Sequence, residues 1–395
     1  MTSLNWDPFD EDLDRDPYPV WKRLRDEAPL YRNEEYDFWA LSRYEDVERA
    51  HKDPSTFSSA HGTVLERMGP EAQKTRMMIF MDPPEHTVLR RLVSRSFTPR
   101  RVAGLDVRIR EICADLLDPY VRGKAFDFVQ DFGAQLPSRV ISSLVGVPPS
   151  DQESTRLLVD GMFHIEPGVG MVNDTSVTAS LELAGYLLRL IDERRAAPRD
   201  DLISSLVQAE VTDDEGVRRR LTPEECTEFA VLLYSAGTET VAKLLGNAAV
   251  VLAAHPGQRA ELVSDSTLIP NAVEELLRFE PPSPVQGRWT NRSVEIQGTP
   301  LPEGAKVLLL TGSAGRDERQ FPDPDRFDIH RSMANHLTFG YGVHFCIGAA
   351  LARLEGRIGL EEVFRRFPTW GVDEAGVERV NTSTVRGYRR VPVTV

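Results

Sequence analysis

A glycine-rich loop near the carboxyl end of the chain places one cysteine, Cys346, where its sulfur could bind a metal. The loop reads Phe339-Gly340-Tyr341-Gly342-Val343-His344-Phe345-Cys346-Ile347-Gly348, and an apolar helix is expected to begin near Ile347. Free N–H groups and aligned peptide dipoles at a helix N-terminus stabilise a thiolate, which is a soft, electron-rich ligand. The glycines would let the backbone lie close to a flat macrocycle, where a Cβ atom would clash. A lone cysteine is commonly a small buried apolar residue, but these ten residues together favour a metal ligand.

A long helix is predicted upstream of this loop, between residues 222 and 255. Thr222 can cap it, Pro223 fits its first position and Glu225 closes a capping box. His255-Pro256 is the next strong stop signal. Roughly 33 residues at 1.5 Å each would make a rod of about 48 Å, which is long enough to cross the molecule.

The middle of this helix contains an acid and an alcohol that its apolar surroundings do not explain. Residues 229–237 are apolar on every side, which is typical of a buried helix. Gly237, Glu239 and Thr240 are each unfavourable there, because Gly and Thr are poor helix formers and a buried carboxylate is costly. The combination indicates a functional distortion of the helix. The structural alternative is an i,i+4 salt bridge between Glu239 and Lys243.

The cysteine loop resembles the haem-ligand loop of the cytochrome P450 family, the haem-thiolate monooxygenases. Further segments resemble other motifs of that family in the expected order, so the resemblance covers nearly the whole chain. They are the pair His86 and Arg90, the oxygen-activation segment Ala236-Gly237-Thr238-Glu239-Thr240, and Glu275-Leu276-Leu277-Arg278 with its downstream partner Arg326-Phe327. The resemblance implies a mainly α (α+β) fold, with a helix-rich body, a small β region and a long central helix over the haem.

By this resemblance, Cys346 is the axial ligand of a haem b iron that reacts with O2. A thiolate ligand pushes electron density onto the iron and favours O–O cleavage. The resemblance also assigns roles to the acid–alcohol pair. The Thr240 hydroxyl hydrogen-bonds the oxygen, and Glu239 relays protons from solvent, so both are candidate catalytic residues.

Four basic residues match the positions at which the family binds the two haem propionates. They are His86, Arg90, Arg288 and His344. His86 and Arg90 are four residues apart after the helix breaker Asp82-Pro83-Pro84, so they are expected on one face of the next helix. The alternative for any one of them is a solvated surface charge, which better suits Arg91 and Arg95.

Glu275, Arg278 and Arg326 are interpreted as structural rather than catalytic. A buried carboxylate between two guanidinium groups can be fully satisfied by bidentate hydrogen bonds. The task of this cluster would be to hold the cysteine loop in place.

Six of the eight methionines fall in two short regions that, by resemblance, roof the haem pocket. Methionine is flexible and polarisable, which suits a cavity for varied apolar ligands, although gap-filling in a core is an equal alternative. The candidate substrate contacts are Met78, Met81, Ser235, Ala236, Val285, Gln286 and Thr384. The expected substrate is a lipophilic small molecule such as a steroid, fatty acid, terpenoid or macrolide.

The iron would need two electrons, delivered one at a time, and the sequence has no flavin or iron–sulfur motif. Separate donors are therefore expected, namely a ferredoxin and its NAD(P)H-dependent ferredoxin reductase. Arg100, Arg101, Arg353 and Arg357 could form a basic patch for an acidic donor. Two other functions stay open, a peroxide-driven peroxygenase and a haem-binding sensor or recruitment protein without turnover. Neither would need the acid–alcohol pair.

The composition excludes several classes of protein. The 395 residues are 41% apolar, enough for a large core, and their net charge of −14 argues against a nucleic-acid partner. No segment reaches the ~18 apolar residues of a membrane span, and the acidic N-terminus lacks a signal peptide. Three cysteines far apart in sequence fit a reducing compartment. The chain is expected to be cytoplasmic, and a single unit over residues 1–395 because no linker or repeat divides it.

The periodicity outlines the remaining elements. A helix is predicted over residues 17–27, followed by a small hairpin around residues 30–31 and 38–41. Helix after helix is predicted from residue 85 to 195. Residues 285–310 alternate like strands broken by Gly298 and Gly304. Residues 312–338 are expected to be irregular, and the last thirty or so to form short strands.

Overall fold

The computed structural model describes residues 4–94, 96–123, 125–166, 169–212, 218–333, 335–382 and 384–395. They form a helix-rich body with small sheets, which confirms the predicted mainly α (α+β) class. The helices are α1 (Glu11–Arg15), α2 (Tyr18–Glu27), α3 (Tyr44–Lys52), α4 (Glu85–Ser94), α5 (Pro99–Ala103), α6 (Asp106–Leu117), α7 (Gln135–Val145), α8 (Gln152–Met162), α9 (Asp174–Ala196), α10 (Leu202–Gln208), α11 (Pro223–Ala254), α12 (Pro256–Ser264), α13 (Ile269–Phe279), α14 (Thr311–Ala314) and α15 (Ala349–Arg366). Within these ranges, no helix combines the length and the apolar composition that crossing a membrane requires.

The β structure is small, and its main sheet combines strands from the first sixty residues with strands from residues 285–310. The strands are β1 (Leu30–Asn33), β2 (Phe38–Leu41), β3 (Phe57–Ser58), β4 (Phe126–Asp127), β5 (Glu210–Thr212), β6 (Arg218–Arg220), β7 (Val285–Thr290), β8 (Val294–Ile296), β9 (Thr299–Leu301), β10 (Lys306–Leu310), β11 (Gly371–Val372), β12 (Glu378–Asn381), β13 (Arg386–Arg390) and β14 (Pro392–Thr394). The five-stranded sheet has the order β1-β2-β10-β7-β3, in which β2 and β10 are parallel and the other neighbours antiparallel.

Two predicted strand regions are confirmed. The hairpin is β1 and β2, whose register pairs Leu30 with Leu41 and Asn33 with Phe38. The alternating segment is β7 to β10, and the connections contain Gly298 (φ 75°) and Gly304 (φ 78°). Positive φ at both positions explains why glycine breaks the alternation there.

Helix α11 begins and ends as the sequence predicts. The Thr222 hydroxyl accepts the N–H of Glu225 at 3.2 Å, and the Glu225 carboxylate accepts the N–H of Thr222 at 2.9 Å, which is the predicted capping box. The first half of α11 belongs to an apolar cluster with α4 and α7 to α10. The second half belongs to another cluster with α6, α7, α13 and α15. Residues 235–240 therefore lie where the two clusters meet.

The predicted distortion of α11 is not seen, because the helix is a continuous α-helix from Pro223 to Ala254. Gly237 has a packing reason instead. A Cβ atom at this position would lie 2.9 Å from Cγ1 of Ile141 on α7. The glycine thus allows α7 and α11 to approach closely at the boundary between the two apolar clusters.

The structural acid–arginine cluster has a different third member from the one predicted. Glu275 and Arg278 form a bidentate pair with both side chains fully buried. The second guanidinium belongs to Arg331, whose Nε donates to both Glu275 oxygens at 3.2 Å. Arg326 is 66% exposed and lies beside Asp328 instead, so its assignment to the cluster is wrong. The sequence motif marks the right loop, but the direction of each arginine depends on how that loop folds back on α13.

Candidate active site

The cysteine loop is built on two glycines with left-handed backbone. Gly340 and Gly342 both have φ of 67°, a conformation that other residues adopt only with strain. A Cβ atom on Gly342 would also lie 2.6 Å from the carbonyl oxygen of His51 on α3. The Cys346 N–H donates to the Phe339 carbonyl at 2.8 Å, which closes the loop. Helix α15 then begins at Ala349, two residues later than predicted.

The Cys346 side chain is accessible even though protein surrounds it densely. Burial raises the pKa of its thiol, and this outweighs four stabilising groups. These are the N–H groups of Gly348 and Ala349 and the guanidinium groups of Arg90 and Arg353. The predicted stabilisation of the thiolate by the start of the helix is therefore present, but it does not outweigh the effect of burial on the pKa. Coordination to a metal would deprotonate such a thiol outright.

The four predicted propionate-binding residues meet beside this loop. The rings of His86 and His344 lie 4.3 Å apart between centroids. Arg90, on the same helix as His86, donates to the Phe345 carbonyl next to the cysteine. Arg288 on β7 is buried, and its Nη1 donates to its neighbour's carbonyl, that of Gly287, at 2.7 Å. Helix α4, strand β7 and the cysteine loop thus converge on one site.

This cluster is rich in hydrogen-bond donors, because it brings together two guanidinium groups and two imidazole rings. Burial, followed by the charge of Arg90, lowers the pKa of His86 to about 4. Burial, followed by the charges of Arg288, His86 and Arg90, lowers the pKa of His344 to about 2. Burial also lowers the pKa of Arg288 to about 10, and the carboxylate of Asp82 opposes this shift. An anion bound here would be strongly favoured.

Thr240 and Ala236 lie on a less buried strip of α11. Leu232, Ala236 and Thr240, spaced four residues apart, are partly or fully accessible, whereas most of the helix is buried. The Thr240 hydroxyl donates to the Ala236 carbonyl at 3.0 Å. The strip falls where the two apolar clusters meet.

Glu239 points away from this strip and forms the predicted salt bridge. Its carboxylate lies 2.9 Å from the Lys243 ammonium, and the two residues are only 4% and 5% exposed. Lys243 also donates to the Tyr388 carbonyl at 3.3 Å. The structural alternative for Glu239, a salt bridge with Lys243, is therefore present. Thr240 is the next residue in the sequence, but its side chain lies on the accessible strip.

A solvent-facing pocket of about 780 Å³ lies between residues 72–85 and the start of α11. Phe80, Met81, Asp82 and Glu228 are among its lining residues. Glu228 ties the two walls together, because its carboxylate accepts the Thr75 hydroxyl at 3.1 Å and a backbone N–H of the same segment. Cys346 is not among the lining residues, so this pocket is not the proposed metal site itself.

The model of the family described as Cytochrome P450 matches residues 170–384 of this chain. The vitamin D(3) 25-hydroxylase of Pseudonocardia autotrophica is 40% identical over 390 residues, which cover 96% of this chain and 94% of that protein. The cytochrome P450 monooxygenase PikC of Streptomyces venezuelae is 38% identical over 395 residues, which cover 97% and 92%. The solved structure of a mutant of P450 EryK in complex with erythromycin B has a TM-score of 0.88 and 34% identity, covering 97% of this chain and 96% of that one.

The chain belongs to the cytochrome P450 family. The predicted resemblance, fold and class of enzyme are thereby confirmed. As a P450, the protein is an oxygen-incorporating oxidoreductase with a haem iron.

The residues of this P450 fit the haem. Nδ1 of His86 and Nε2 of His344 are buried and have no hydrogen-bond partner among the described residues. Buried polar atoms rarely stay unpaired in proteins. The two propionate carboxylates of a haem would accept hydrogen bonds from these imidazole groups and pair with Arg90 and Arg288.

A further histidine that the sequence did not single out lies against the cysteine loop. His51 on α3 is buried, and both of its ring nitrogens lack a partner in the described part of the chain. Burial, followed by the charge of Arg288, lowers the pKa of His51 to about 3. No family motif covers this residue, and its helical pattern alone resembles that of an ordinary surface helix.

The seven candidate substrate contacts of this P450 are in different environments. Ala236 is exposed on the accessible strip of α11. Met78 and Met81 are buried in the apolar cluster that includes the first half of α11. Ser235 is buried and donates to the Val231 carbonyl at 2.8 Å.

The other three contacts are grouped around β7. The side-chain amide of Gln286 donates to the Ser283 carbonyl at 2.7 Å, and its Oε1 is buried without a described partner. Thr384 donates to the carbonyl of Val285 at 2.9 Å. This places Val285, Gln286 and Thr384 together at the strand that carries Arg288.

Proposed function

We propose that this P450 inserts one oxygen atom from O2 into a lipophilic small molecule, with electrons from a ferredoxin and its NAD(P)H-dependent reductase. The observation that carries the proposal is the cluster of side chains beside the Cys346 loop. It combines buried imidazole nitrogens that lack a partner among the described residues with the guanidinium groups of Arg90 and Arg288. An acid and an alcohol on α11 add a means of delivering protons. The cytoplasm supplies NAD(P)H, and the enzyme is proposed to act there.

Cys346 would hold the haem iron, and His86, Arg90, Arg288 and His344 would hold the propionates. When bound, the thiolate-ligated iron supplies the reduction and cleavage of O2. The backbone of the loop fixes the sulfur through the bond from the Cys346 N–H to the Phe339 carbonyl. Arg90 and Arg288 would neutralise carboxylates that are otherwise costly to bury, and the two imidazoles would donate hydrogen bonds to them.

Arg90→Ala is expected to speed the loss of haem by tenfold or more. Arg90 is half-buried next to the cysteine loop, and a hydrogen bond to a charged group is worth roughly 1.5–3 kcal/mol. The measurement is the transfer of haem to excess apomyoglobin. Arg91→Ala changes the neighbouring exposed arginine and should lose haem at the parent rate. Equal loss in both variants would show that the wrong face of α4 has been assigned.

Glu239 and Thr240 would move protons towards the oxygen. Asp160 on α8 lies close enough that burial and then the charge of Glu239 raise its pKa, while Lys243 opposes the shift. Asp160 is partly exposed and accepts from Arg156 at 2.6 Å. Asp160 is therefore the proposed proton-carrying group on the solvent side of Glu239. The Thr240 oxygen keeps free lone pairs and can accept a proton while its own hydrogen turns from the Ala236 carbonyl.

A lipophilic substrate is supported by the apolar residues that connect three parts of the site. Met77, Leu232 and Ile347 are partly buried and pack against the same apolar cluster as Met78 and Met81. These residues come from the segment before α4, from α11 and from the cysteine loop. The names of two relatives, one for vitamin D(3) and one with bound erythromycin B, fit the same class of substrate.

The surface proposed for the electron donor is smaller than the sequence predicts. Arg353 pairs with Glu274 at 2.7 Å, and Arg357 pairs with Glu361 at 2.9 Å, so their charges are compensated. Arg100 and Arg101 on α5 are exposed, and neither forms an ion pair within the described ranges. Because α5 packs against α15, the helix after the cysteine loop, these two arginines are the proposed contacts for an acidic ferredoxin.

Replacing Arg100 and Arg101 together with Glu is expected to slow the first electron transfer from ferredoxin by roughly tenfold or more at low salt, because charge attraction speeds encounter. The measurement is stopped-flow reduction under carbon monoxide. A control variant with Arg199 and Arg389, both exposed, changed to Glu carries the same net charge. Equal slowing in the two variants would show a general effect of charge rather than a docking site. Reduction by dithionite should not change.

The proposed activity is tested by supplying ferredoxin, reductase, NAD(P)H and ¹⁸O₂ to compounds that shift the Soret band. The expected product contains one ¹⁸O atom. Equal yields with hydrogen peroxide alone would favour the peroxygenase function. Binding without any oxygenated product across the lipophilic library would favour the sensor.

A further inference from the structure

His51 is a buried polar residue that the rest of the protein does not satisfy. It lies near the end of α3 and is 4% exposed, yet neither Nδ1 nor Nε2 has a hydrogen-bond partner among the described residues. A neutral imidazole has one N–H donor and one acceptor nitrogen, and both are ordinarily paired when buried. An apolar side chain would fill such a position at lower cost, so the histidine calls for an acceptor.

The position of His51 indicates where that acceptor lies. Its ring Cε1 is 3.8 Å from the point where a Cβ atom on Gly340 would sit, and its carbonyl limits Gly342 to glycine. His51 is therefore packed against the cysteine loop. Arg288 is close enough to lower the pKa of the His51 imidazole, and His51 in turn acts on His344. His51 thus lies against the loop that carries His344 and within electrostatic reach of Arg288.

The described residues around His51 do not supply an anion for it. Among the described residues, no carboxylate forms a hydrogen bond with either ring nitrogen. The nearby carboxylate, Asp82, acts on Arg288 and His86 and accepts hydrogen bonds from Ser58 and the Ser59 N–H. Buried ring nitrogens of His51, His86 and His344 therefore all lack a hydrogen-bond partner in the described part of the chain.

We infer that His51 donates a hydrogen bond to a haem propionate, as a fifth side chain of this site beside Arg288 and His344. The inference rests on the proposed placement of the haem. It gives α3 a direct part in binding the cofactor, in addition to its backbone contact with the loop.

The test compares His51→Leu, which keeps an apolar body of similar size, with His51→Gln, which keeps a donor. Haem transfer from each holoprotein to excess apomyoglobin is measured, together with the thermal midpoint of unfolding. His51→Leu is expected to release haem on the order of tenfold to a hundredfold faster, the range for a hydrogen bond to a charged group. His51→Gln should stay within a few-fold of the parent.

Three outcomes would overturn the inference or its basis. Parent-like haem retention in His51→Leu would show that the nitrogens do not serve the haem. Equally fast loss in both variants would assign His51 to packing of the loop. A parent protein that takes up haem without binding it through Cys346 would instead overturn the proposed haem site itself.

Discussion

Cys346→His is expected to abolish the strongly red-shifted Soret band of the reduced carbon monoxide complex. That shift requires a thiolate opposite the gas, and a neutral imidazole donates much less electron density to the iron. The measurement is the reduced-minus-oxidised difference spectrum under carbon monoxide. A red-shifted band retained by Cys346→His would refute the assignment of the ligand.

The loop itself should survive this substitution. The bond that closes it runs between backbone atoms of Cys346 and Phe339, and its turns depend on Gly340 and Gly342. Cys226→Ser is the matched control, because Cys226 is a buried cysteine elsewhere, on α11. This variant should keep the band, and loss of the band there would show that the spectrum reports general damage.

The parts of the site that could be predicted from sequence are those specified by local signals. The turn residues Gly340 and Gly342, the capping box of Thr222 and Glu225, and the alternation in β7 to β10 each depend on neighbours a few residues away. Such neighbours are visible in the sequence. The family motifs then placed Cys346 on the same site as the four propionate candidates, which lie on three separate elements.

The features that could not be predicted depend on tertiary partners. Arg331 rather than Arg326 reaches Glu275 because of how the loop after α14 folds. Arg353 is compensated by Glu274 on α13, far away in sequence, so it does not offer a free charge. Gly237 is explained by Ile141 on another helix.

His51 illustrates the same limit at the site itself. Its helix carries no motif, so the sequence offers no reason to connect His51 with the cysteine loop. Only the packing of α3 against the cysteine loop shows that its nitrogens are buried and unpaired. Unpaired buried nitrogens are a property of the folded chain, and those of His51, His86 and His344 are found on residues around the cysteine loop.

Glu239→Gln is expected to slow substrate-dependent oxygen consumption by ~10²-fold or more, within the range for a positioned proton donor. Gln keeps the size of the side chain but cannot carry a proton from the side of Asp160. It also leaves Lys243 without its counter-charge, so the unfolding midpoint of the variant must be measured alongside. Unchanged oxygen consumption would remove Glu239 from the proton path.

Thr240→Ala is expected to separate oxygen consumption from product formation. Haem binding and the first reduction should survive, because neither depends on this hydroxyl. NAD(P)H consumption should continue while product falls and hydrogen peroxide rises, since the reduced oxygen leaves before it reaches the substrate. Thr238→Ala is the matched control on the same helix. Its hydroxyl also donates to a carbonyl four residues back, that of Tyr234 at 2.8 Å, but the residue is buried on another face. Uncoupling in Thr240→Ala alone would place the hydroxyl at the reacting oxygen, whereas equal coupling in both variants would leave proton delivery to water or substrate.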